Sequence, residues 1–83
     1  MSPTLFKQSF KVLPEEELRV ECELGRRFKI KITNGSCELF GSEIASGAEK
    51  ELFGGGKFAF FSFDGCDCEV VSSSEKMCVI VSF

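Results

Sequence analysis

The chain has 83 residues, a formal net charge of −3 and no histidine. Its length suits one small domain with one core, and 43% hydrophobic with 28% charged residues is the composition of a folded domain, not a disordered one. The acidic balance argues against direct binding to nucleic acid or an anionic membrane. No run of eighteen apolar residues could span a bilayer, and the missing histidine removes the commonest general base.

Taken in chain order, the predicted elements have a period of two. The opening "MSPTLFKQSF" lacks the apolar centre of a secretory signal. Phe6 to Val12 reads as a first strand, broken at Leu13-Pro14. Glu15, Glu16 and Glu17 read as a solvated edge. In "ELRVECEL", Leu18, Val20, Cys22 and Leu24 point one way and Glu17, Arg19, Glu21 and Glu23 the other, so this is a half-buried strand. After Gly25, "FKIKI" sets Phe28, Ile30 and Ile32 against Lys29 and Lys31. Asn34-Gly35 predicts a tight hairpin into "SCELF", and Gly41-Ser42 a bend before "EI". "ASGAEK" reads as a surface loop and "ELF" as a short strand closed by Gly54-Gly55-Gly56.

The next strand, Lys57 to Phe63, is apolar on both faces. Phe58, Phe60 and Ser62 share one face; Lys57, Ala59, Phe61 and Phe63 share the other. In a two-layer sandwich only one of these meets the core, so the second is expected to pack elsewhere. Asp64-Gly65 predicts another hairpin, followed by "CDCEVV" and "MCVIV" joined across Ser72-Ser73-Ser74. The expected fold is all-β, a small antiparallel β-sandwich of about eight short strands in one domain spanning 1–83.

Two features invite chemistry, and neither supports it. "GGGK" imitates a phosphate loop, but G-x-x-x-x-G-K-[ST] needs glycine where Glu51 stands and a hydroxyl where Phe58 stands, and it needs a helix next. Glycines in a turn account for it more simply. Five cysteines, Cys22, Cys37, Cys66, Cys68 and Cys78, are odd in number and contain no C-x-x-C pair. Reduced, mostly buried thiols of a cytosolic or nuclear protein fit them better than disulfides or a metal site. No metal ligands and no catalytic residues are assigned.

"ELRV" at 17–20, "GSCELFGSEI" at 35–44 and "GGGKFAFFSFDGC" at 54–66 resemble, in the same order, the amino-terminal domain of the Clp-type cleavage factor subunit and RNA 5′-hydroxyl kinase family. "ELFGSEI" is the most specific piece. The resemblance implies a β-sandwich preceding a P-loop domain, with ATP held in that second domain and its adenine at the junction. Carried over by position, Glu17 and Lys57 are the implied adenine contacts. Phe63 stands where the family usually has tryptophan, and Cys37 where alanine is common.

The expectation is therefore the amino-terminal fragment of a larger P-loop protein, a nuclear mRNA 3′-end cleavage and polyadenylation factor. This chain is expected to be inert as an enzyme, while the parent is a candidate ATP-dependent polynucleotide 5′-hydroxyl kinase. Its expected partners are the P-loop domain of the same parent and other subunits of the cleavage and polyadenylation complex. The alternative is a free-standing β-sandwich interaction module, homodimeric through its phenylalanine-rich strand.

Overall fold

The structure, a computed structural model, describes residues 6–72 and the backbone of 78–82. The alternating segments become eight antiparallel strands: β1 (Phe6–Val12), β2 (Glu16–Cys22), β3 (Arg27–Leu39), β4 (Ser42–Ala45), β5 (Glu49–Phe53), β6 (Gly56–Ser62), β7 (Cys66–Ser72) and β8 (Cys78–Ser82). One sheet runs β1-β7-β3-β5 and the other β8-β2-β6-β3-β4, so β3 belongs to both. This is the expected all-β sandwich, closed along one side by a shared strand.

The shared strand explains where the turn signals mislead. Asn34-Gly35 does not make the expected hairpin. β3 continues through it, and its ladder with β7 slips between Ile32 and Asn34. The extra residue flips the parity of the strand: Phe28, Ile30 and Ile32 are buried before it, Cys37 and Leu39 after it. Both halves therefore face the core, each from its own sheet. Gly35 has φ 78°, and a Cβ there would collide with the Gly65 carbonyl and crowd Cys66. The strand also bends. Phe28 and Phe40 both lie against Phe58, with ring centroids 5.5 and 6.3 Å away. A straight strand would hold the two about 40 Å apart at ~3.3 Å per residue. A corner-turning strand of this kind is how crossed sheets are joined.

The tight hairpin falls instead at Phe40-Gly41, between the paired residues Leu39 and Ser42. Both turn residues have positive φ, 51° and 80°, the type I′ pattern that matches strand twist. Asp64-Gly65 likewise makes no hairpin. β6 pairs with β2 and β3, whereas β7 pairs with β1 and β3, so the chain there crosses from one sheet to the other. The expected "ASGAEK" loop shrinks to a turn between β4 and β5, and "ELF" is the end of a longer strand. Of the "SSS" connection, Ser72 closes β7, while Ser73 and Ser74 lie outside the described residues, as does Met77 of "MCVIV".

The core lies between the sheets. Phe28, Phe60, Leu18, Ile30, Ile32, Val20 and Val70 are its most enclosed side chains. Phe28 meets Phe58 and Phe60 edge to face, the preferred arrangement for aromatic quadrupoles. Two buried polar groups are satisfied locally. Ser62 donates to the Ser36 carbonyl at 2.7 Å. Glu16, expected on a solvated edge, is buried instead, and its carboxylate accepts the Leu13 amide at 2.8 Å, holding the turn between β1 and β2.

Candidate functional site

The outer face of the β2–β6 pair carries both of the residues singled out in the sequence. Register places Glu17 opposite Phe61, Arg19 opposite Ala59 and Glu21 opposite Lys57. Glu17 and Lys57 thus share one face but do not touch. They are separated along the strands by the Arg19–Ala59 step, roughly 13 Å for four residues. Between them Ala59 leaves a low floor. Arg19 Nε donates to Glu17 Oε1 at 2.6 Å, and Lys57 Nζ stands 3.6 Å from Glu21 Oε1. The lysine side chain is 85% exposed, so this ion pair in open solvent constrains it little.

The glycines ahead of Lys57 pack rather than bind. Gly54 N–H donates to the Arg26 carbonyl at 2.6 Å and Gly55 N–H to the Cys22 carbonyl at 2.9 Å. A Cβ on Gly54 would strike the Glu23 carbonyl, so glycine is needed for the β2–β3 and β5–β6 turns to meet. Those two amides are engaged within the fold, and the strand β6 that follows begins at Gly56. The sequence-level rejection of a phosphate loop therefore has a physical basis in the fold.

β6 shows the two-faced pattern expected of it. Phe60 and Ser62 are buried and Phe58 is half-buried, whereas Phe61 remains 37% and Phe63 69% exposed. No other described element lies over this face.

The fold also gathers residues that looked unrelated in the sequence. Cys37 from β3 and Cys66 and Cys68 from β7 form a buried group of free thiols. Hydrogen bonds from Cys37, then Cys68, lower the Cys66 thiol against the opposing effect of burial. Donation to Cys66, then burial, pushes Cys37 and Cys68 well up. The face sharing of Cys66 and Cys68 was legible from their spacing; the approach of Cys37 follows from the corner in β3. Among the described residues no group of His, Cys, Asp or Glu is arranged to hold a metal ion.

Comparison with known proteins places this geometry. Residues 11–82 match the family described as the N-terminal beta-sandwich domain of polyadenylation factor. The chain is similar to polyribonucleotide 5′-hydroxyl-kinase Clp1 of Danio rerio, 34% identical over 61 residues, covering 74% of this chain and 14% of that protein. It is similar also to the mRNA cleavage and polyadenylation factor CLP1 of Laccaria bicolor, 41% identical over 58 residues, covering 69% of this chain and 12% of that protein. In fold it resembles a chain of the solved Clp1p–Pcf11p complex, with a TM-score of 0.74 at 14% identity over 90% of this chain and 18% of that one. The chain thus spans a small fraction of the length of the relatives it matches.

Proposed function

Because the chain belongs to the family of the N-terminal β-sandwich domain of polyadenylation factor, we propose that it is the accessory domain of a nuclear mRNA 3′-end processing factor and helps to recognise the adenine of ATP. In this reading the nucleotide phosphates are held by a P-loop domain of the same parent. The outer face of β2 and β6 packs on that domain through Phe61 and Phe63. Glu17 accepts from the exocyclic amine of the base, and Lys57 donates to a ring nitrogen. The observation that carries it is the shared face: Glu17 and Lys57 at the two ends, Ala59 low between them, and exposed aromatic surface alongside. Relatives of this chain are named as cleavage and polyadenylation factors and as polyribonucleotide 5′-hydroxyl kinases, and a structural neighbour is a complex with Pcf11p. These names support a place for the parent among other cleavage-complex subunits and an ATP-dependent kinase ancestry for its P-loop domain.

The test uses the longer protein that carries both domains. Lys57→Ala should weaken ATP binding about tenfold in calorimetry, and Glu17→Ala should weaken ATP more than GTP. ATP affinity unchanged in both variants would sink the adenine assignment. The exposed Phe61 and Phe63 also suit a second reading, a free-standing module that pairs with its own copy through β6. Sedimentation of the 83-residue chain separates the two, because only the second predicts a dimer.

A further inference from the structure

Three of the four free thiols among the described residues meet where β3 passes from one sheet into the other. The backbone brings them there. Past the slip between Ile32 and Asn34, Gly35 is the partner of Cys66. Residues 35, 37 and 39 then share the inward face, on which Cys37 and Leu39 are buried. A Cβ on Gly35 would stand 3.2 Å from the Cβ of Cys66, so the cysteine lies against space that a side chain at 35 would fill. Its sulfur is left beside that of Cys37, the next inward side chain, and the two thiols share a hydrogen bond. Cys68 also reaches Cys66, but these two lie on one face of β7, with parallel Cα–Cβ directions that resist bridging. Cys37 approaches from another strand and has no such constraint. Of the trio Cys66 is the most open, 7% exposed against 2% for each of the others, and it follows the exposed Asp64 at the crossing into β7.

We propose that Cys66 and Cys37 form a reversible disulfide when the folded chain meets hydrogen peroxide, Cys66 attacking and Cys37 resolving. The Cys66 thiolate attacks one peroxide oxygen, so that an S–O bond forms as the O–O bond breaks. The departing hydroxide takes up the proton given by the Cys66 thiol and leaves as water. The Cys37 sulfur then displaces hydroxide from Cys66: the S–S bond forms, the S–O bond breaks, and the Cys37 proton completes a second water. Two thiols lose two electrons and two protons, and one hydrogen peroxide becomes two waters. A water-sized oxidant suits a sulfur this enclosed, whereas a bulky disulfide such as oxidised glutathione does not. The bond ties β3 to β7 across the corner, and a dithiol reductant releases it. Neither Glu17 nor Lys57 takes part, since both face outward from β2 and β6.

The test treats the reduced 83-residue chain with hydrogen peroxide under native conditions, blocks the remaining thiols and maps the products by mass spectrometry. Cleavage after lysine and before Asp67 places Cys37, Cys66 and Cys68 on separate peptides. A Cys37–Cys66 link, two hydrogens lighter, should form, revert with dithiothreitol and raise the melting temperature by about 10 °C. Cys68→Ala should still form it. Cys37→Ala should stop at an oxyacid on Cys66, trapped by dimedone at the sulfenic stage. The same treatment in urea should scatter links among all five cysteines. Links equally scattered without urea, a native link from Cys66 to Cys22 or Cys78, or thiols at Cys37 and Cys66 that survive until the chain unfolds would overturn the proposal. So would a folded Cys37→Ala chain with no oxidation at Cys66. If Cys37→Ala does not fold, the maps of the parent and of Cys68→Ala decide.

Discussion

At Gly35 and Gly47 the backbone takes nearly the same left-handed conformation, φ 78° and 88°, but the surroundings differ. A methyl group on Gly47 meets nothing within 4 Å, so Gly47→Ala should cost only the conformational strain, about 1 kcal/mol. On Gly35 the same methyl meets the Gly65 carbonyl and the Cys66 backbone at the corner of β3. Gly35→Ala should therefore cost distinctly more, about 3 kcal/mol, with strain and overpacking together. Urea denaturation of the two variants side by side reads the difference, and equal losses would show that the corner yields. The same scale explains Glu16. A carboxylate beside two others reads as solvent-facing, and only the free amide of Leu13, three residues back, makes its burial favourable.

At the scale of elements, β2 and β6 were legible because alternation alone fixes which side chains share a face. The two-faced reading of β6 anticipated the exposed Phe61 and Phe63. The Asn34-Gly35 and Asp64-Gly65 dipeptides signalled positive φ, correctly at Gly35 and Gly65, but that requirement is common to hairpins, bulges and sheet crossings. Local chemistry could not say which strand comes next to which. For the same reason the placement of Glu17 and Lys57 on a common face needed the β2–β6 register, and the thiol group needed the β3 corner. That group carries a pH dependence. Cys37 and Cys68 have folded pKa values raised above their unfolded value, as does Cys22, mainly through burial. A raised thiol contributes stability that is complete below the unfolded pKa, about 8.5, and is lost above it. There the unfolded chain has released protons that the folded one retains. Cys66 has the opposite sign, its contribution being lost as pH falls. Stability should accordingly decline as pH rises past about 9. Replacing Cys37 and Cys68 together by alanine should flatten that decline, as seen in melting curves taken across the range.

For the whole molecule, 83 residues leave little margin. At roughly 0.05–0.15 kcal/mol per residue the domain is worth on the order of 4–12 kcal/mol. Phe28 sits in contact with both Phe58 and Phe60 between the sheets. Phe28→Ala should remove about 3–5 kcal/mol, enough to leave much of the population unfolded at 37 °C, which circular dichroism would register directly. The loss should be global, because β3 threads both sheets and neither can open while the other stays whole. Hydrogen exchange should consequently show one protection level along β3, from Phe28 to Leu39, in place of a stable and a labile leaf. That continuity also makes the strand a transmission line. A turn loosened at Gly41 pulls on the same run of peptide bonds that ends beside Phe28, so Gly41→Val should be felt as faster exchange in the sheet that residue never touches.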